Sequence, residues 1–500
     1  MLAVAVAIIA LPAPRSFHKD EGGYLLALSH LANGRFEVLF DKLTSPTLPV
    51  LVLAAPFYRT HEQSLGAVRA LNVALSLLCL AAFFLLLGTA SPEKAPWKKA
   101  ALAAAFLGLN PLFYRYTHIF TGDTGFLTFC LLTLLFARIG LEGANDTAWL
   151  AAAAACATMA VYTRQFGMIL PVVVGAALLG RHLRSRTRPG ALEMFLVVVP
   201  WIAFVPLGLY FRARYGSFLV PTTTVAPAHH RLGLHLENLL WCVNFLGVFT
   251  LPFAPWVLGT YSFLWKRKSL LVILLGLSPL VLLAPVSVAS TQGGMGKILM
   301  SLPAVRPLVP VLVVASQYMG LAVLAILVRE SLDGKKAAQL LVLFTGLYMG
   351  ALTLKGGYLL LHYATPLVPA MAYVVGTAWK PEHGAVRTLC LLMMLAGVWF
   401  FSFSWAMTER AAADASYEAV RLVKQKASET DLVFCLSSTA LWHFNEGLMT
   451  ARAEDSAFII ESPESPVRIE VPEGFSLLGS YPVTLYGLPL GSVKVYEKIR

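Results

Sequence analysis

Two adjacent carboxylates, Asp20 and Glu21, lie in a short polar loop that follows the first apolar stretch of the chain. Ionisable groups at the edge of a bilayer are energetically unfavourable and mark sites of chemistry or ion binding. A carboxylate in such a loop can act as a general base, taking a proton from an acceptor hydroxyl that attacks an activated carbon. The structural alternative is that Asp20 caps the next helix and Glu21 complements its dipole. The two interpretations are compatible.

A second polar stretch contains Arg115 and His118 and ends at Asp123. Asp123 is either the N-cap of the next helix or part of a shared site with Asp20. Two acidic loops that face each other can hold a divalent cation, Mg²⁺ or Mn²⁺, or can position a polar acceptor. The sequence therefore predicts Asp20, Glu21 and Asp123 as the catalytic group and leaves the metal ligands unassigned.

Arg164 and Gln165 interrupt an otherwise apolar run from residue 148 to 179. An arginine at this depth either extends towards the lipid headgroups or binds a phosphate. Its guanidinium presents two donors at once to phosphate oxygens and stabilises the charge that develops on a leaving phosphate. We expect Arg164 to bind a donor phosphate and Gln165 to have a secondary role.

Further aromatic and cationic side chains occur in loops that the topology places on the same side. Each is typical of an interfacial belt, but together they resemble a lipid-phosphate site. The predicted phosphate-binding residues are Arg164, Lys355, Tyr358, Arg59, Tyr58 and His362, and the predicted acceptor or secondary residues are Tyr24, Arg115, His118 and Gln165. A histidine metal site in the loop with His229, His230 and His235 is the weaker alternative.

Composition indicates the class of protein that positions these side chains. Hydrophobic residues make up 57% of the chain and charged residues 13%, against about a quarter charged in soluble proteins. The net charge of +12 comes from short clusters between apolar runs, which excludes a nucleic-acid-binding face and indicates membrane topology. The six cysteines form no close pair, so no disulfide framework is predicted.

Apolar runs long enough to cross the bilayer predict about thirteen transmembrane helices, counting the N-terminal segment. We place the others at residues 65–88, 99–119, 122–139, 148–162, 165–180, 191–211, 239–258, 269–287, 308–328, 337–354, 363–379 and 387–406. Basic clusters recur in alternate loops, and these loops are predicted to be cytoplasmic. The acidic loops and the C-terminal tail are then external, in the periplasm of a multi-pass plasma (inner) membrane protein.

The predicted membrane module is residues 1–406, and its first external loop is residues 14–64. Residues 1–14 are too short to span, which indicates a truncated first span or a signal-peptide core. Within that loop, prolines at 46, 49 and 56 favour helices that lie along the membrane surface. Residues 407–500 predict a small external α/β domain, with a helix at 411–427 and strands near 431–435, 457–460, 467–471 and 492–497.

The order of these motifs resembles the GT-C superfamily of membrane glycosyltransferases. The matching motifs are Asp20-Glu21, Thr44-Ser45-Pro46, Arg69 to Asn72, Asn110-Pro111, the Asp123 loop and Arg164-Gln165. Local detail is similar to dolichyl-phosphate-glucose glucosyltransferases. The overall layout is similar to lipid A aminoarabinose transferases and protein O-mannosyltransferases.

The resemblance implies inverting transfer of a hexosyl or pentosyl group from a polyprenyl-phosphate donor to a lipid, glycan or protein acceptor. Membrane lipid is the other expected partner. A transporter, flippase or scaffold for lipid-linked saccharides is the alternative, although such proteins place ionisable groups near the middle of broken spans. Here the polar residues cluster at one face, which favours an enzyme.

Overall fold

The structure is a computed structural model, and α-helices dominate it. It describes residues 1–10, 21–36, 46–60, 65–88, 96–142, 146–216, 232–261, 308–354, 359, 361–380, 384–428, 431–435, 453–461, 471–485 and 488–499. The predicted span at 269–287 and the predicted strand at 467–471, except its last residue, lie outside these ranges.

The helices of the described ranges are numbered in chain order. They are α1 (Leu2–Ile9), α2 (Glu21–Ala32), α3 (Leu48–Thr60), α4 (Leu65–Gly88), α5 (Pro96–Leu109), α6 (Pro111–Tyr114), α7 (Gly122–Glu142), α8 (Asp146–Thr163), α9 (Ile169–Ser185), α10 (Ala191–Tyr215), α11 (Leu232–Val248), α12 (Ala254–Thr260), α13 (Val309–Leu332), α14 (Lys336–Leu354), α15 (Val368–Thr377) and α16 (Ala385–Lys426). Short 3₁₀ helices cover Gln165–Met168, Leu251–Phe253 and Leu361–Leu367.

Seven helices within the described ranges are long and apolar enough to cross a membrane. An eighth is added if α11 and the segment Leu251–Thr260, which meet at a bend of 49°, form one broken span. The predicted all-helical membrane architecture is thus confirmed, whereas the count of thirteen stays a prediction. Helix α7 is the most enclosed of the seven, with 78% of its apolar window buried.

The prolines near residue 50 do not prevent a helix, because α3 begins just before Pro49, where a missing backbone N–H leaves no bond unmade. Val50, Leu51 and Ala54 of α3 are buried, whereas Val52 on the opposite side and Phe57 near the end of the helix are exposed. The helix therefore has one side packed against the bundle and apolar side chains exposed elsewhere. Its position along the membrane surface stays a prediction.

The C-terminal part contains a four-stranded sheet of order β1-β2-β4-β3, made of Val433–Cys435, Phe458–Glu461, Leu488–Lys498 and Phe475–Leu485 in that order. Strands β1 and β2 are parallel, and the other pairs are antiparallel. The sheet packs on the last part of α16 through Ala419, Val420 and Val423. A single 42-residue helix thus joins the apolar span to the sheet and crosses the predicted boundary at residue 406.

Two ends of the helix bundle can be distinguished from the contacts. At one end lie the starts of α2 and α7, the junction of α8 with the 3₁₀ helix Gln165–Met168, and the part of α16 near Glu409. We call this the site end. The opposite end carries the α9–α10 and α13–α14 connections, with the ion pairs Arg181–Glu193 and Lys335–Glu330.

Candidate functional site

A buried ion pair between Asp123 and Arg164 lies at the centre of the site end. The Arg164 Nη2 is 2.6 Å from the Asp123 Oδ1, and the two residues are only 5% and 6% exposed. Asp123 stands in the first turn of α7, where the helix dipole also favours a negative charge. Two of the residues predicted from separate stretches of sequence are therefore in contact.

The backbone around Arg164 explains how this side chain is presented. Arg164 is extended, with φ −145° and ψ 135°, so it separates α8 from the 3₁₀ helix that follows. The Thr163 carbonyl accepts a hydrogen bond of 3.1 Å from the Thr47 amide, which fixes α3 against the turn. A Cβ on Gly167 would lie 2.5 Å from the Val161 nitrogen, so only glycine fits where the chain returns over α8.

Aromatic rings surround the guanidinium of Arg164. Its central carbon lies 5.7 Å from the Tyr363 ring centroid, within the range of a cation–π contact. Phe166 packs edge-to-face on both Tyr348 and Tyr363, and the Tyr348 hydroxyl donates to the Tyr363 carbonyl at 3.1 Å. Within the described ranges the Arg164 Nε has no hydrogen-bond partner. This donor could therefore meet an anionic ligand.

Glu21 lies in a second buried ion pair beside the first. Its carboxylate takes two hydrogen bonds from Arg69, 2.8 Å from Nε and 2.6 Å from Nη2, and a third of 2.9 Å from the Phe120 amide. Glu21 has no exposed surface and Arg69 is 4% exposed. The carboxylate thus joins the start of α2, helix α4 and the loop that precedes Asp123. This geometry suits a group that holds the two acidic loops together.

The loop before Asp123 is held from α4 and from the N-terminus. The Asn72 amide donates to the carbonyls of Tyr116 and Ile119 at 2.5 and 2.8 Å. The His118 Nε2 lies 2.5 Å from the Ile8 carbonyl, so this nitrogen carries the proton. Burial lowers the pKa of His118 below its usual range, the bond to Ile8 opposes that shift, and the charge of Arg69 adds to it.

Arg115 contacts the long helix α16. Its Nη2 lies 2.6 Å from the Glu409 Oε1, and its guanidinium stacks near the rings of Tyr116 and Trp405 at 4.7 and 5.2 Å. Glu409 carries no motif in the sequence, and only its spacing from Trp405 on one helix face could have indicated a shared contact. Neither Arg69 nor Tyr348 was among the predicted site residues, whereas Tyr363 belongs to the polar cluster around His362 that resembles a lipid-phosphate site.

The remaining predicted residues are placed as follows. Tyr24 is buried in α2, while the Gln165 side-chain nitrogen has no partner in the described part of the chain. Arg59 donates through Nε to the Ala32 carbonyl at 2.9 Å, at the end of α3 that is distant from Thr47. Its neighbour Tyr58 is half-buried, and His362 packs against Tyr363 with ring centroids 4.3 Å apart. Asp20, Lys355 and Tyr358 lie outside the described residues.

The described residues contain no group of three histidine, cysteine or acidic side chains placed to hold a metal ion. Of the three loop histidines, His229 and His230 lie outside the described ranges. The ring of His235 lies 2.7 Å from the Thr353 carbonyl through Nδ1. A cation held by Asp20 and Asp123 stays a prediction, because Asp20 is outside the described ranges.

Residues 46–210 match the family model for dolichyl-phosphate-mannose-protein mannosyltransferase. These residues include the Asp123–Arg164 pair and Arg69. No curated protein matches the chain by sequence.

Solved structures with a similar fold include ArnT from Cupriavidus metallidurans in the apo state. It is 14% identical, with a TM-score of 0.53 over 99% of this chain and 96% of that one. The same enzyme bound to undecaprenyl phosphate matches at 16% identity and a TM-score of 0.43, covering 99% and 97% of the two chains. The archaeal oligosaccharyltransferase AglB from Archaeoglobus fulgidus matches at 11% identity and a TM-score of 0.47, covering 91% and 64%. At these identities the apo ArnT match establishes the fold alone.

Proposed function

We propose that the chain is a membrane glycosyltransferase of the GT-C superfamily that uses a polyprenyl-phosphate-linked sugar, on the basis of the family model matched by residues 46–210 and the similar fold. The acceptor is a lipid, a glycan or a protein on the external side of the membrane. Transfer inverts the anomeric carbon, and the transferred group is a hexosyl or pentosyl unit.

One observation carries the proposal: a buried arginine lies at the site end beside the Tyr363 ring, and its Nε has no partner in the part of the chain that the structure describes. A lipid phosphate needs a cation held near the membrane surface, and arginine presents donors in the geometry of phosphate oxygens. The Asp123 carboxylate holds Arg164 through Nη2, so the Nε, which has no partner among the described residues, is proposed to bind a phosphate oxygen without loss of that support. Lys355 and Tyr358 are proposed to complete the phosphate site, with Tyr58, Arg59 and His362 nearer its rim.

Asp20 is the proposed general base. Its neighbour Glu21 is fully engaged by Arg69 and the Phe120 amide, and is therefore assigned to orient the site. Asp20 takes the proton of the acceptor hydroxyl as that oxygen bonds to the anomeric carbon. The bond from this carbon to the donor phosphate oxygen breaks, and Arg164 stabilises the negative charge of the departing polyprenyl phosphate.

The acceptor is proposed to approach past Tyr24, in the first turn of α2, and Gln165, which directly follows Arg164. Arg115 and His118 act less directly, since their side chains already contact Glu409 and the Ile8 carbonyl. Basic loops at the opposite end support the assignment of that end to the cytoplasm.

The decisive experiment combines lipid identification with a transfer assay. Mass spectrometry of lipid co-purified with the wild-type protein should reveal a polyprenyl phosphate or its glycosylated form. With that donor, Arg164→Ala should lower transfer by about 10²- to 10³-fold, as expected for loss of one group that stabilises developing charge. Arg329→Ala is the matched control, because it removes an exposed arginine at the opposite end and should leave transfer unchanged.

Two further outcomes decide between this proposal and its alternatives. Full activity of Asp20→Asn would overturn the assignment of the base. Movement of the lipid-linked sugar between leaflets without transfer to an acceptor would identify a transporter instead. The role of Mg²⁺ or Mn²⁺ is tested by EDTA treatment followed by return of each ion. Transfer that is lost and then restored would support a cation near Asp20 and Asp123.

A further inference from the structure

Arg115 joins the loop before Asp123 to the helix that carries the C-terminal sheet. Its guanidinium is 5% exposed and pairs with Glu409 at 2.6 Å. The Trp405 indole N–H donates to the same Glu409 oxygen at 3.1 Å, and the Trp405 ring is 1% exposed. The carboxylate therefore receives an ionic and a neutral hydrogen bond at one atom. We call Arg115, Trp405 and Glu409 the α16 clamp.

Helix α16 is long enough to connect the helix bundle to the C-terminal sheet, so that a displacement of the sheet can move the helix bundle. Its 42 residues measure about 63 Å, roughly twice the 30 Å of membrane hydrocarbon. Glu409 lies one turn before Ala412, which is the first residue of the core shared with the sheet. The Ser402 hydroxyl also donates to the Leu109 carbonyl at 2.6 Å, so α16 contacts the end of α5 as well. The clamp thus lies where the apolar part of α16 ends and the part that packs on the C-terminal sheet begins.

From Arg115 the contacts continue to the proposed catalytic group. The carbonyl of Tyr116, its neighbour in sequence, is held by Asn72, and the Phe120 amide donates to Glu21. Three residues after Phe120, Asp123 pairs with Arg164. A displacement of Arg115 would therefore act on a loop that is bonded to both acidic positions.

We infer that Glu409 and Trp405 are positioning residues, through which the C-terminal domain sets the place of the loop that carries Asp123. This inference rests on the proposed function where the test measures transfer kinetics. The contact between α16 and the loop before Asp123 is a property of the fold and is tested by hydrogen exchange. The C-terminal domain then has a role in transfer without contributing a group that touches the substrate.

The test compares Glu409→Gln with Arg410→Gln in the full chain. Glu409→Gln keeps the side-chain shape and an oxygen for the Trp405 indole but removes the charge opposite Arg115. Arg410 is the next residue of the same helix, and its pair with Asp414 is partly exposed. Hydrogen exchange of residues 112–121 should accelerate in Glu409→Gln and stay unchanged in Arg410→Gln.

Transfer kinetics give the second readout. A displacement on the order of 1 Å at the site lowers the rate by up to about 100-fold, so Glu409→Gln should lower kcat by about 10- to 100-fold. The KM for the lipid donor should change little, because Arg164 is untouched. A protein that is merely destabilised would instead have fewer folded molecules, each with the wild-type kcat. Its total activity would then recover at low temperature, where more molecules are folded.

A double-mutant cycle identifies the pair itself. Arg115→Gln and Glu409→Gln together should lose less than the product of the two single losses, since the double variant leaves no unpaired charge. If Glu409→Gln does not fold, Trp405→Phe supplies a second variant, which keeps an aromatic ring, removes the N–H donor to Glu409 and reduces the buried volume. Unchanged exchange in the loop, or losses that simply multiply, would overturn the inference. Absence of transfer in the wild-type protein would refute the proposed function alone, because the exchange measurement does not depend on it.

Discussion

The two ends of the helix bundle hold their charges differently. At the site end the pairs Arg69–Glu21 and Arg164–Asp123 are almost entirely buried. At the opposite end Arg329 and Asp333 pair with 36% and 42% of their side chains exposed. The buried pairs join residues that are distant in sequence, whereas Arg329 and Asp333 are one helical turn apart. Arg181 and Glu193, which also pair at the opposite end, are intermediate, with 23% and 14% of their side chains exposed. Nearly complete burial of both partners therefore distinguishes the end that we assign to chemistry.

Physical chemistry explains why this difference is informative. Exposed ion pairs contribute about 0–1 kcal/mol, so the Arg329–Asp333 pair needs no role beyond topology. A buried pair loses hydration that its Coulomb attraction only partly restores, and replacement by apolar groups is often neutral or stabilising. Such pairs are weak evidence for stability, which leaves the positioning of reactive groups as their best explanation at the site end.

The largest expected effect comes from breaking one buried pair. Arg69→Met leaves the Glu21 carboxylate buried with only the Phe120 amide among the partners described above, and should lower stability by about 3–5 kcal/mol. Arg329→Met at the opposite end should change it by less than about 1 kcal/mol. Thermal unfolding in a single detergent measures both variants under the same conditions.

The double variant Glu21→Gln with Arg69→Met sharpens the result. Removing both charges should recover most of the lost stability while transfer stays low, because the ion pair that joins α2 to α4 beside the loop before Asp123 is gone. Equal destabilisation by Arg69→Met and Arg329→Met would break the comparison between the two ends.

Hydropathy was enough to predict where most helices lie. The span predicted at 65–88 coincides with α4, and those predicted at 122–139 and 337–354 begin within one residue of α7 and α14. Arg164 could also be identified, because a charge that interrupts an apolar run has few structural explanations. Local pattern is informative here because the bilayer imposes one length and one polarity on every span.

Partners across the fold could not be predicted in the same way. The sequence gives no reason to pair Arg115 with Glu409, since that contact depends on how α16 packs against α6. Glu21 was assigned to catalysis from its type alone, and its engagement by Arg69 depends on α4 lying beside α2. The helix predicted at 411–427 is the end of α16, because the amphipathic pattern begins where the apolar pattern stops and no capping residue separates them. Strand β3 was missed, although β4, with which it pairs, was found.

Substitution of one glycine by alanine at each end of the helix bundle tests how tightly the backbone is packed there. A Cβ on Gly167 would lie 2.5 Å from the Val161 nitrogen and 2.6 Å from the Ala160 carbonyl carbon, and backbone atoms cannot move aside as a side chain can. Gly167→Ala should therefore destabilise by about 1–3 kcal/mol and displace the neighbouring Arg164. Transfer should fall more than the folded fraction does.

Gly180→Ala is the matched control, because Gly180 lies in α9 near the opposite end and nothing lies within 4 Å of its added Cβ. Alanine is the better helix former by up to about 1 kcal/mol, so this variant should be neutral or slightly stabilised. A Gly167→Ala protein with normal unfolding and normal transfer would contradict the packing described for the Arg164 turn.

The smallest expected effect concerns pH and the buried histidines of the two ends. His182 faces the Glu193 carboxylate at 3.1 Å, whereas His118 faces the Ile8 carbonyl. Burial lowers the pKa of His118 from its ordinary value of about 6.5, so the folded form binds its proton less readily than the unfolded form. The contribution of His118 is then fully present above about pH 6.5 and is lost as the pH falls below it.

Acidification should therefore loosen the contact between His118 and α1 first. Hydrogen exchange of residues 2–9, corrected for its intrinsic pH dependence, should show less protection at pH 5.5 than at pH 7.5. In His118→Gln the side-chain amide can still donate to the Ile8 carbonyl but does not titrate, so protection should be the same at both pH values. If the variant lost protection on acidification as the wild-type protein does, another group would be responsible. The buried histidine of the site end would then be irrelevant to how α1 is held.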